Sequence, residues 1–539
     1  MRKGFSIFKH ALLGIAAVLM LTSSAWAATY YVDPSGSDSN PGSQTSPFKT
    51  VAHAASAARS GDVVHVDAGT YTETSQISLA PGATLEGAGS TSVIVAGFAA
   101  NPLIALVSGS EGTVGGQEVR YLKLDGNSLT GLTAIYIARR SSVAVHDCAF
   151  VNFGQTGVTV NGGNEYPDNS EPTTYATGVS VYNNTFTNCS VLMGAGWISG
   201  SIYIRGLQGA RIYKNTMTEN QRGSNSGGCV VFYNNGWFKD LGIYGNNMTT
   251  IENVDSSHFA IELWNSHQVE IYNNIITGNI NFDTVSPGSY AYGVNVHDNL
   301  IGYPSQSTYA NKAVCFDGNC SGVIISDNYI KNIHLGVYFY FRTGGITVSN
   351  VQIYYNIFDG VGMVGDTGKA FVCDAADNTG VFTNLKIMNN VVYARYSNMD
   401  VGIGFKSYGA WSNFYAQNNI IEGSIGPAIE TWSGASGATL SYVYIQDNDF
   451  YANATNAFVN NLPAANATNQ GNITGNPLFV SAGSNFQLQS GSPCIDAGVN
   501  TGLTADYAGD PAPVGSGYDI GAYEYGSAAI SPPSNLQIF

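Results

Sequence analysis

The sequence predicts an all-β fold: a single-stranded right-handed parallel β-helix, or solenoid, with an N-terminal helical cap and a C-terminal closing module. Three observations carry this. One short phrase returns ten times at intervals of 25 to 34 residues, the period of a solenoid coil. Every return places an asparagine at the same position. The composition, with 64 glycines and only 11% charged residues among 539, suits short strands and many turns better than helices.

Taken in chain order, the elements begin with a basic start (Met1, Arg2, Lys3), an apolar run from Ala11 to Leu21 and a small-x-small ending at Ala25, Trp26, Ala27. This is the pattern of a secretory signal peptide over residues 1–27, which predicts a secreted or cell-surface protein. No later segment reaches the roughly 18 apolar residues of a membrane span. Without Arg2, Lys3 and Lys9 the formal charge of −16 becomes −19, which argues against nucleic acid and anionic membrane surfaces as partners. Residues 28–118 are expected to form the N-terminal cap and first coils. Within them Pro47 to Ala58 is amphipathic and could lie across the apolar end of the first coil, followed by a strand at Val63 to Val66 and a turn at Gly69.

Residues 119–465 hold the repeats, from VSVYNNTF at Val179 and ARIYKNTM at Ala210 to FYAQNNII at Phe414 and VYIQDNDF at Val443. Alternating apolar residues make a strand, a polar pair makes a bend, and a further apolar residue opens a second strand. The bend asparagines are Asn184, Asn215, Asn246, Asn274, Asn299, Asn328, Asn356, Asn390, Asn419 and Asn448. Coils stack about 4.8 Å apart, so these amides can bond to one another as a ladder. Cys148 holds the same register one coil earlier, as a small buried thiol.

A second phrase, small-apolar-x-apolar-x, follows each loop: GVTVN at Gly157, SIYIR at Ser201, CVVFY at Cys229, AIELW at Ala260, AVCFD at Ala313, GVYFY at Gly336, AFVCD at Ala370, GIGFK at Gly402 and AIETW at Ala428. Its second and fourth positions should point inward and its third and fifth outward. The coil beginning at Val269 has no clear match, which predicts an interruption in the outward columns. Residues 466–526, with NPLF, SPCIDAG and DIGAYEY, leave the repeat and are expected to close the far end; residues 527–539 form a Pro/Ser tail. Of seven cysteines, Cys315 and Cys320 flank a tight turn as a candidate disulfide, with Cys189 and Cys229 a weaker pairing.

The ladder and the apolar columns, across roughly Thr29 to Asn461, resemble those of right-handed β-helix proteins of the pectate-lyase type. SPCIDAG at Ser492 and DIGAYEY at Asp519 resemble the terminal module of many exported bacterial β-helix proteins. The resemblance implies that the second-phrase strands form a face that binds and cleaves polysaccharide. It stops short of one enzyme family. The paired aspartates, GHG and RIK of polygalacturonase-like hydrolases are absent, as are the DH and RxPxxR of pectate lyases and the RHG of alginate and chondroitin lyases.

The outward stripe of that face is rich in aromatic and charged residues. Tyr203, Arg205, Tyr233, Glu262, Trp264, Tyr338, Glu430 and Trp432 are candidate substrate-binding residues, because sugar rings stack on aromatic faces and bond through hydroxyls to carboxylates. The same rings could instead stack on one another and stabilise the solenoid without a ligand. Asp317, Tyr340, Asp374 and Lys406 are candidate catalytic residues. Asp317 and Asp374 stand two coils apart, about 9.6 Å, within reach of the inverting-hydrolase separation. Elimination from a uronic acid would use a base such as Tyr340 or Lys406 and a cation, Ca²⁺ or arginine, on the carboxylate. His258 and His334, each two residues ahead of its strand, are further bases or ordinary loop histidines. The expected partner is an extracellular polysaccharide met by a monomer. The expected function is a lyase or glycoside hydrolase, with a non-catalytic glycan-binding or structural surface protein as the alternative.

Overall fold

The computed structural model describes residues 27–163, 171–189, 200–218, 230–231, 236–249, 259–283, 291–308, 310–340, 345–374, 379–406, 409–432, 439–455 and 467–526. The chain winds as a right-handed parallel β-helix of three sheets, with 18, 14 and 13 strands. Strands before the asparagine bend form the first sheet, such as Ser266–Tyr272, and those after it the second, such as Ile275–Thr277. Second-phrase strands, such as Leu335–Tyr340, form the third. Alternation puts Val337 and Phe339 into the core, while Tyr338 belongs to a separate apolar cluster on the outer side.

Each bend is a two-residue device. A residue in the left-handed region comes first, for example Asn183 (φ 54°), Asp298 (φ 54°) or Asn389 (φ 52°), positions that Asn and Asp tolerate. The ladder asparagine follows. From Asn184 to Asn448 each Nδ2 donates to the Oδ1 of the next coil at 2.8–3.0 Å. The ladder therefore runs one coil beyond the sequence expectation, to Asn472. At its head the backbone N of Cys148 donates to Asn184 Oδ1 (3.0 Å). Burial pushes the Cys148 thiol up to about 12, in keeping with an inert thiol. Asn299 illustrates the saturation: its Nδ2 donates to Ile271 O (2.8 Å), His297 O (2.8 Å) and Asn328 Oδ1 (3.0 Å). Its Oδ1 accepts from the backbone N and Nδ2 of Asn274, both at 3.0 Å. Fully bonded amides can be buried at little net cost, and each fixes the register of its neighbours.

The cap helix spans Val51–Ala57, shorter than the amphipathic stretch suggests. Thr50 caps it, and Glu73 accepts from the backbone N of Val51 (2.7 Å) and Ala52 (3.1 Å), tying the helix to the first coils. On the outer flank of the first sheet His146, Tyr182, Tyr213, Tyr244, Tyr272 and His297 stack, with centroids 4.6–5.1 Å apart and planes within 11°.

Three expectations change. The coil at Val269 does not interrupt the third sheet: Asn279–Asp283 supplies its strand, with Ile280 between Ile261 and Val314. Asn279 stands where other coils have a small residue, which hid the match. No disulfide joins Cys315 to Cys320, and both are buried. Cys315 belongs to the outer cluster and Cys320 to the core, so the turn between them puts the two side chains on opposite sides of the wall. Cys189 is likewise not in a disulfide, and Cys229 lies outside the described residues.

Where the sequence suggests a stretch closing the far end, residues 476–525 instead run back along the flank. Phe479, Phe486, Leu488, Ile520 and Tyr523 pack on Tyr355, Ile357, Val391 and Ile420, which come from three successive coils. Asn418 fixes the contact by donating to Val499 O (2.8 Å) and accepting from Val499 N (2.9 Å). The putting-together is lateral because the apolar residues it covers project sideways from the bend, not from the end of the core. Residues 1–26 and 527–539, the bulk of the expected signal peptide and the whole tail, lie outside the described residues.

Candidate functional site

Strand register decides which candidates share a column. On the third sheet Trp264, Asp283, Asp317, Tyr340 and Asp374 are successive partners. Lys406 follows, since its neighbour Phe405 pairs with Cys373, and Lys406 in turn pairs with Trp432. A second column runs Tyr203, Val231, Glu262, Asn281, Cys315, Tyr338, Val372, Gly404, Glu430. The backbone therefore brings all four catalytic candidates into one column over four coils. Asp283 joins them, a residue the sequence pattern missed along with its strand. The side chains of Asp283, Lys406 and Trp432, and the residues Tyr233 and His258, lie outside what the structure describes.

Pointing away from the core does not make these residues accessible. Tyr203 (3%), Arg205 (4%), Glu262 (9%), Trp264 (7%), Asp317 (4%) and Tyr338 (8%) are all buried, and Trp264 packs with the main core cluster. The expectation of one continuous exposed stripe is corrected here. The strand period sets direction from the core, whereas solvent access depends on what the rest of the chain puts over the face. The accessible stretch is shorter: Lys312, Tyr340, Lys369, Asp374 and Glu430 are half-buried.

Within that stretch the contacts are specific. Tyr338 Oη donates to Asp374 Oδ2 (3.0 Å). Burial, and then the Asp374 charge, push the Tyr338 phenol far above its ordinary value, so it stays a donor. Lys312 Nζ lies 5.1 Å from the Tyr338 ring centre and 5.7 Å from that of Tyr340, and the two rings are 5.4 Å apart. Lys369 Nζ pairs with Asp400 Oδ2 at 2.8 Å. Burial, with the Asp400 charge adding to it and Lys369 opposing, raises the Glu430 carboxyl above the usual range.

Sequence reasoning missed Lys312 and Lys369. Their signal is modest but present: each stands immediately ahead of a second phrase, in KAVCFD and KAFVCD. His334 is buried, with Nε2 2.9 Å from Thr367 O, and burial lowers its imidazole below the ordinary value. It is therefore a neutral ring tied to backbone. Among the described residues no group of three or more His, Cys, Asp or Glu is placed to hold a metal ion.

Residues 34–299 match the family described as "Protein of unknown function (DUF1565)". No curated protein matches the chain. Among solved structures the chain is similar to a mutant tailspike protein of E. coli bacteriophage HK620 in complex with a hexasaccharide. The TM-score is 0.52 at 13% identity, covering 71% of this chain and 69% of that one. It is also similar to PfbA, a surface adhesin of Streptococcus pneumoniae, with a TM-score of 0.42 at 14% identity, covering 60% of this chain and 84% of that one. The likeness to the tailspike speaks for fold alone, and the winding, the ladder and the three parallel sheets agree with it: the chain is one of the right-handed parallel β-helix proteins.

Proposed function

We propose that the chain engages an extracellular polysaccharide on the third sheet between Lys312 and Glu430, as a secreted monomer, and hydrolyses it there. The observation that carries this is the register of Asp317, Tyr340 and Asp374 in consecutive coils. Two carboxylates then flank an aromatic ring at about 9.6 Å, near the inverting separation, with the ring as a floor for one sugar. Asp374, held by the Tyr338 hydroxyl, would orient the attacking water, and Asp317 would protonate the leaving oxygen. Lys312, Lys369 and Glu430 would bond to sugar hydroxyls on either side. The tailspike that shares this fold was solved with a hexasaccharide, which supports a glycan as the ligand class.

A second reading, binding without cleavage, is favoured by the burial of Asp317, which limits the approach of a glycosidic oxygen. Incubation with a panel of polysaccharides, following reducing ends and the ultraviolet absorbance of unsaturated uronates, separates the cases. Hydrolysis predicts new reducing ends without unsaturation, and a fall in kcat of about 100-fold or more for Asp374→Asn with binding retained. Binding without turnover would establish the second reading. Failure to bind any member of the panel would overturn both.

A further inference from the structure

A cavity lies away from the third sheet, where residues 476–525 fold back over the second sheet. It has a volume of about 330 Å³, and its walls include Tyr329, Lys331, Asp359, Arg395, Tyr396 and Gly483. Four parts of the chain meet here: strands Tyr329–Ile333 and Ile357–Val361, the segment at Arg395, and the hairpin turn at Gly483.

The floor is a neutralised acid. The Asp359 side chain is 3% exposed, accepts from Tyr329 Oη (2.7 Å) and Arg395 Nε (2.8 Å), and is also bonded by Arg395 Nη2. Arg395 Nη2 also donates to Gly483 O, which ties the hairpin to the sheet. Gly483 permits this approach: its φ is 81°, and a Cβ there would lie 3.1 Å from Arg395 Nη2. With Asp359 taken, two features are left for a ligand. Among the described residues Arg395 Nη1 makes no hydrogen bond and Lys331 has no ion-pair partner, although Lys331 stands beside Asp359 in register. The cavity thus carries a net positive charge in a protein of formal charge −16. The rings of Tyr329 and Tyr396 supply apolar surface, and a volume near the lower end for ligand pockets suits one sugar-sized ring.

We infer that this cavity is a binding site for a single carboxylate-bearing sugar unit, its carboxylate on Lys331 and Arg395 and its ring against the two tyrosines. Lys and Arg donors to a carboxylate make strong, short hydrogen bonds, and aromatic rings select a ring-shaped ligand over a bare inorganic anion. The unit could be a free uronic acid or the end of a uronate chain, and both present the same chemistry. The site is separate from the third sheet, so it stands or falls independently of the function proposed above.

Calorimetric titration of the full chain with glucuronate, a short oligouronate and glucose tests it. Saturable binding of glucuronate is expected, with glucose weaker by roughly tenfold or more and Lys331→Gln losing a similar factor. Binding of the monosaccharide alone would assign the site to free sugar, and binding of the oligomer as well would assign it to chain ends. Lys331 is half-buried and outside any ion pair among the described residues, so its replacement leaves the fold intact, and circular dichroism verifies this. Tyr340→Ala, which removes the ring proposed to hold a sugar on the third sheet, should leave glucuronate affinity unchanged, and this separates the two sites. Absence of uronate binding, equal affinity for glucose, or an unaltered affinity in Lys331→Gln would overturn the inference.

Discussion

The outer side of the wall around the bend between the first and second sheets is finished in two different ways. From His146 to His297 six rings stack on one another, and the terminal histidines are each held by the next aspartate, with Nδ1 2.7 Å from Asp147 Oδ2 and from Asp298 Oδ2 respectively. From Tyr355 onward residues 476–525 instead cover the bend and the first residues of the second-sheet strands, Ile357, Val391 and Ile420. The interior does not register the change, because the asparagine ladder crosses the junction with Asn299 to Asn328 at 3.0 Å and Asn328 to Asn356 at 2.9 Å. The lesson is that repetition builds the wall, whereas sites arise where repetition stops. Stacked rings spend their faces on each other and offer a ligand only their edges. The covered half gains a cavity from contacts that occur once.

The largest effects should appear where the two halves are alike. Asn215→Ala and Asn419→Ala each remove a buried amide whose neighbours then lose partners, at a cost of about 3 kcal/mol or more. Urea unfolding should give similar losses for the two, within about 1 kcal/mol of each other. A much smaller loss at Asn215 would mean that the stacked rings, not the ladder, hold the N-terminal half.

A more moderate effect should separate the halves. Burial raises Asp449 to about 7, Asp327 to about 7 and Glu524, against opposing backbone hydrogen bonds, to about 7. All three carboxyls lie where the C-terminal segment meets the coils: Asp449 Oδ2 accepts from Cys494 Sγ at 3.3 Å, and Asp506 charges bear on both Asp327 and Glu524. In the unfolded chain such groups titrate near 4. The folded form therefore binds more protons between these values, and its extra stability is complete below about pH 4 and is lost as pH rises toward 7. The thermal midpoint for release of the C-terminal segment, followed by limited proteolysis, should fall from pH 4.5 to pH 8, and fall less in Asp449→Asn. An unchanged slope in that variant would remove Asp449 from the linkage.

Much of the wall was legible in the sequence because it needs one residue type at one place per coil. The bend asparagines had no substitute, so their spacing revealed the coils and the register that aligns Asp317, Tyr340 and Asp374. The strand Asn279–Asp283 escaped because its apolar pair, Ile280 and Phe282, is intact but its leading small residue is not. Exposure was illegible: period-two alternation puts Tyr203 on the outer side of its strand, yet it is buried, and Trp264, expected on the same side, packs with the main core cluster. The cavity at Arg395 was illegible for a further reason. Residues 329, 395 and 483 share no pattern, and only the returning C-terminal segment brings them together.

The contrast between stacked and accessible rings can be measured directly as glycan affinity in two tyrosine variants, once the panel has supplied a ligand. Tyr340→Ala should weaken binding roughly tenfold, about 1.4 kcal/mol, while Tyr213→Ala, from the middle of the stack, should stay within about twofold of the unsubstituted protein. Equal losses in both, or a loss confined to Tyr213→Ala, would contradict the assignment of the ligand to the third sheet.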